Sequence, residues 1–162
     1  MTNYFNKTFR SYGTNFFDPK RFKPVKNRSV GFNKPTGGFW GSWISGSGSW
    51  KEFCINNQYE IKSLRKFVDF RIKPNSKVLI LKRVKDFGKI KKFILRKDRD
   101  YLFPIYDWEK IARCYDVIIF DYPAVQREIG YNTDKFTGLD VWDVFSVLIC
   151  NLSSITIVPQ KR

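Results

Sequence analysis

Lys34-Pro35-Thr36-Gly37-Gly38-Phe39-Trp40-Gly41-Ser42-Trp43 puts a proline, three glycines and two tryptophans in one short window. A plain core strand has little use for that mixture. Glycine lets another backbone or a ligand come close, and tryptophan offers a flat apolar wall with one polar handle. Taken alone, the window reads as pocket lining or as a tight turn feeding an aromatic-rich core strand at about 38–44.

The chain around it has 162 residues, enough for one domain, 1–162, with a sizeable core. The most apolar runs, Val117 to Phe120 and Val144 to Cys150, are far too short to span a bilayer. The first residues lack a charged segment followed by an apolar one, so neither a signal peptide nor a membrane partner is expected. A cytoplasmic protein is the expectation. Cys54, Cys114 and Cys150 are widely spaced and odd in number, which argues against a disulfide framework or a zinc site and for buried inert thiols. No metal is expected.

Charge is uneven. Residues 1–99 hold 24 Lys and Arg against 6 Asp and Glu, whereas residues 100–162 hold 6 against 9, for a net charge of +15. Such asymmetry points to a basic face that meets a polyanion, whether DNA, RNA or an acidic host protein, or the phosphates of a nucleotide. A solubilising Lys-rich surface is the plainer alternative. A basic loop at about 15–30 supplies Lys20, Arg21, Lys23, Lys26 and Arg28, with Tyr12, Phe16 and Phe17 nearby for stacking. The chain has no histidine, which excludes a Ser-His-Asp triad, a Cys-His pair and His-ligated metals.

Apolar and polar residues partly alternate over 3–13, a strand with Arg10 near its end. The Ser-Gly link at 45–49 ends in Ser49, which with Glu52 fits a capping box for a helix from Trp50 to about Asn57. Strands are expected at 66–72, 77–83, 116–122, 144–151 and 155–158. Val84, Phe87, Ile90 and Ile94 predict an amphipathic helix with Lys85, Lys89 and Lys92 on its polar face. Asp107 caps a helix at 108–115, while 123–141 reads as a loop with one helical turn. Trp108 and Trp142 read as core anchors. The sum is α+β, with six or seven strands and two or three short helices.

Together, Lys34-Pro35-x-Gly37-Gly38-Phe39-Trp40-x-Ser42, Trp50, Tyr115-Asp116-Val117-Ile118 and Trp142-Asp143-x-x-Ser146-Val147-Leu148-Ile149-x-Asn151 resemble a pattern shared by small uncharacterised phage and bacterial proteins. The layout also resembles the ADP-ribosyltransferase fold. That resemblance implies a split, mainly antiparallel sheet that holds NAD. An Arg or His ends its first strand, a Ser on the second supports the nicotinamide ribose, and a Glu opens a later strand followed by a hairpin partner. Arg10 and Ser42 match the first two positions, and 147–149 with 155–157 match the last pair.

The resemblance implies an NAD-dependent transferase, phage- or mobile-element-borne, that modifies a host macromolecule. Arg10 would bind the pyrophosphate, Gly37 and Gly38 would let the backbone approach nicotinamide beside Lys34, and Trp40 or Trp43 would wall the ring. The departure is the acid. Where the family has E-x-E, this chain has Val144-Phe145-Ser146. Asp143, Asp140 or Glu128 would have to supply the charge that stabilises an oxocarbenium-like centre, or no acid does. Without one, the fold would bind a nucleotide or nucleic acid and not turn it over. A third reading is an accessory or virion protein whose exposed aromatics and basic charge form a partner surface.

Overall fold

A computed structural model describes residues 4–28, 33–96, 104–130 and 142–160, and Asp140 lies outside them. The architecture is mixed α+β. Strands β1 (Thr8–Tyr12), β2 (Phe39–Trp43), β3 (Phe67–Ile72), β4 (Val78–Leu81), β7 (Val117–Phe120), β8 (Ser146–Ile149) and β9 (Ile155–Val158) form one sheet in the order β4-β7-β8-β2-β1-β3-β9. Every neighbouring pair is antiparallel except β4 with β7. A separate two-stranded ribbon joins β5 (Ile94–Arg96) to β6 (Ile105–Tyr106).

The sheet divides at β2. Phe39, Trp40 and Gly41 pair with β8, whereas Ser42 and Trp43 pair with β1. One half is therefore β4-β7-β8 and the other is β1-β3-β9, with β2 shared between them. An apolar cluster on one face draws from both halves: Phe9, Phe70, Ile72 and Ile155 meet Val117, Ile119, Val147 and Ile149. On the other face Leu79, Leu81, Ile118, Phe120 and Leu148 pack against Ile90, Trp108, Ile111, Val125 and Trp142. β7 and β8 feed both clusters, which is why each is buried along its length, β7 as an unbroken apolar run and β8 as Val147–Ile149 after Ser146. Each such fully buried side chain contributes about 1.5–3 kcal/mol of transfer free energy.

Three α-helices are found among the described residues. Helix α1 (Trp50–Asn56) starts at Trp50 as expected: the Ser49 hydroxyl accepts from Glu52 N, while the Glu52 carboxylate accepts from Gly48 N at 2.6 Å, one residue before the N-cap amide that a capping box would engage. Helix α2 (Trp108–Cys114) is capped by Asp107, as expected, and Trp108 and Trp142 are buried in the core.

Some expectations are corrected. Val84–Phe93 forms a 3-10 helix, not an α-helix. Val84, Phe87, Ile90 and Phe93 recur at a strict spacing of three, which matches the three residues per turn of the tighter helix. Pro123 lies in the first turn of helix α3 (Tyr122–Ile129), capped by Asp121 and longer than the one helical turn expected in a loop here. Residues 131–141 lie outside the described set. β8 and β9 are not hairpin partners: the turn at Leu152–Ser154 carries the chain across to β3. Of the three thiols only Cys54 is buried. Cys114 is exposed, and burial pushes partly buried Cys150 up to about 12. No helix among the described residues is long and apolar enough to cross a membrane.

Candidate functional site

Strand alternation decides what faces the split. On β2, Phe39 and Trp43 turn toward the apolar cluster that spans both halves. Trp40 and Ser42 turn the other way, into a cleft of about 530 Å³. On β1, Phe9 is core and Arg10 and Tyr12 line the cleft. Val144 and Ser146 line it from the start of β8, and Trp50 from the start of α1. The segment 34–38 and the basic loop close the sides with Lys34, Arg21, Lys23 and Arg28.

The floor is a row of paired residues. Arg10 lies opposite Ser42 on β2 and opposite Asp69 on β3. Its Nε and Nη2 donate to the two Asp69 carboxylate oxygens at 2.7 and 2.8 Å, and its guanidinium carbon sits 3.5 Å from the centre of the Phe67 ring. The hydrogen bond to Asp69 raises the guanidinium pKa further. Ser42 is buried, and its hydroxyl has two structural partners. It donates to the Phe145 carbonyl at 2.6 Å and accepts from Trp50 N at 3.0 Å. Ser42 thus ties β2 to the approach of β8 and to the first turn of α1.

Lys34 is partly buried beside Trp40, its ammonium 5.5 Å from the ring centre. Burial lowers its pKa, the Asp143 charge works against that drop, and Arg28 adds to it. Trp40 is fixed by a 2.8 Å bond from its Nε1 to the Gly37 carbonyl, and its ring packs against Trp142. Gly37 and Gly38 both have positive φ, at 73° and 68°. A Cβ at Gly37 would strike the Pro24 carbonyl oxygen and one at Gly38 the Leu148 side chain. The two glycines border the cleft, yet the room they leave is filled by protein.

The cleft therefore gathers Arg10, Ser42, Lys34, Gly37, Gly38, Trp40, Arg21, Lys23 and Arg28 from the residues singled out in the sequence. Trp43 is elsewhere, stacked 4.1 Å from the Phe145 ring in the core. Lys20 and Lys26 are exposed outside the cleft, Lys26 within 3.5 Å of Glu109. Glu128 accepts from Val84 N and is not a lining residue. Asp143 is exposed, has a φ of 52°, and stands next to Val144 at the rim without lining the cleft. No family model, curated protein or solved structure matches the chain.

Sequence reasoning missed Asp69, and it placed Trp50 at a helix start and in the shared motif pattern without giving it a place in the site. The signal for Asp69 was its place on the face of β3 opposite Phe70, but the pairing that sets it beside Arg10 joins residues 59 apart. Chemically, the lining holds five cations, buried hydroxyls and two tryptophans, and no carboxylate among the described residues. No described group of three or more His, Cys, Asp or Glu could hold a metal ion.

Proposed function

We propose that the cleft binds a phosphate-bearing nucleotide and holds it without breaking it. The observation that carries this reading is the charge of the lining: Arg10, Arg21, Lys23, Arg28 and Lys34, with no described carboxylate among them. Arginine forks suit phosphate oxygens, and crowded cations in a concave site focus the field on an anion. Trp40 and Trp50 give flat walls for a ring, and the volume is that of an ordinary ligand site. The two positions that would carry an E-x-E pair, Val144 and Ser146, both line the cleft, and neither can stabilise a developing cation as a carboxylate does.

A second reading is ADP-ribosyl transfer from NAD. It is supported by Arg10 and Ser42 side by side on β1 and β2, the two positions that the resemblance matches, with β8 beside β2 in the sheet. The five cations fit the NAD pyrophosphate, and Asp143 at the rim is the acid nearest in sequence to the cleft lining. In this reading the C1′–N bond breaks, nicotinamide leaves with the bonding pair, and the target's nucleophile attacks C1′ and gives up its proton.

Titration of the folded protein with ADP and NAD, alongside chromatographic measurement of nicotinamide in the presence of host lysate, tests both. Binding of ADP and NAD with no nicotinamide release is expected. Accumulating nicotinamide that disappears in Asp143→Asn favours the transferase. No binding of either nucleotide at millimolar concentration and low salt overturns both.

A further inference from the structure

A second concavity of about 300 Å³ adjoins the cleft and shares Tyr12, Arg21 and Gly38 with it. Its character is different. Where the cleft is lined by cations, this groove is lined by the rings of Phe16, Phe17, Phe22 and Phe39 as well as Tyr12. Phe16 is 58% exposed, unusual for a phenylalanine, and the Arg21 guanidinium lies 5.5 Å from its ring centre. Phe17 stands edge-on to Phe39 at 5.3 Å. The single acid among the described lining residues, Asp18, is already engaged: it accepts from Lys20 N and lies 3.6 Å from Arg21 Nε.

We propose that the groove seats an unpaired base, so that the ligand of the joined site is a single-stranded oligonucleotide with a phosphate in the cleft and the neighbouring base against Phe16. This rests on the phosphate-binding reading of the cleft and names its ligand class. A cationic pocket beside an aromatic one, with Arg21 at their boundary, repeats the alternation of phosphate and base along a nucleic acid strand. Every base has a π-face, so such rings hold single strands with little sequence preference. A duplex keeps its bases stacked inside and cannot offer one to a concave groove. A polyglutamate chain has the charge but no flat ring to place on Phe16.

The test is competition against a labelled oligothymidylate, followed by fluorescence anisotropy, on the full chain. Competitors are thymidine monophosphate, short thymidylates, the matching uridylates, abasic strands with the same number of phosphates, duplex DNA and polyglutamate. Strands with bases are expected to bind at least about fivefold more tightly than their abasic counterparts. Phe16→Ala is expected to remove that gain, and duplex DNA and polyglutamate to compete weakly. A lead by either the deoxy or the ribo series supports the proposal, and the leader identifies the sugar. Equal competition by abasic strands, duplex or polyglutamate overturns the groove's role while leaving the cleft reading intact if the monophosphate binds. Failure of the monophosphate and of every strand to bind overturns the cleft reading itself.

Discussion

Arg10 and Asp69 face each other across β1 and β3 and share two charge-assisted hydrogen bonds, at 2.7 and 2.8 Å. Asp69 thus offsets one of the five positive charges among the cleft's described lining residues and holds that guanidinium over the Phe67 ring. Asp69→Asn keeps the shape and removes the charge. Urea denaturation should show a loss of about 1–3 kcal/mol, as for hydrogen bonds to charged groups. Calorimetry should show ADP binding severalfold tighter at low salt, the gain shrinking as salt screens it. ADP affinity that stays level or falls would make Arg10 a structural clamp and no phosphate ligand.

Lys34 ties stability and binding to pH with opposite signs. Burial lowers its pKa in the folded chain, while the unfolded chain keeps the ordinary lysine value. Between the two values the unfolded chain binds more protons, so the Lys34 contribution to stability rises with pH across that window. ADP affinity falls over the same window, because the ammonium is being lost. Lys34→Met should flatten both slopes. Urea melts and ADP titrations from neutral pH up to the lysine range check this, and parallel slopes would contradict it.

Gly37 has a φ of 73°, and a Cβ there would run into the Pro24 carbonyl. Gly37→Ala combines left-handed strain with a backbone clash that no rotamer relieves. A loss of about 2–4 kcal/mol is expected in urea denaturation. ADP affinity should fall with it, since the bond from Gly38 N to the Lys23 carbonyl that joins the two cleft walls must shift.

Ser42 joins three elements through one hydroxyl. Ser42→Ala leaves the Phe145 carbonyl and Trp50 N without that partner. A loss of about 1–3 kcal/mol follows from the unsatisfied groups. Amide exchange at Trp50 should speed up, and an unchanged rate would show that water replaces the hydroxyl.

Much of the sheet was readable in the sequence because its strands carry simple signals. Phe67–Ile72 alternates, Val117–Phe120 and Val147–Ile149 are continuous apolar runs, and Ser49 and Asp107 sit where caps should. Alternation alone also separates Trp43 from Trp40, since an odd step along β2 reverses the face. What stayed hidden depends on distant pairing. Asp69 becomes the partner of Arg10 only once the register of β1 and β3 is known. The crossing from β8 to β9 is invisible for the same reason, because a short polar turn normally signals a hairpin.

The division of β2 between two neighbours has a consequence for how the protein assembles. Its front half waits for β8, and the Ser42 hydroxyl meets a carbonyl 103 residues further along the chain. Contacts of such separation form late and slow the search. During synthesis the ribosome releases the basic loop and the glycine window long before residues 144–149 emerge, so the cations are exposed before the cleft that orders them exists. Competence to bind should therefore appear abruptly, when the last third of the chain docks.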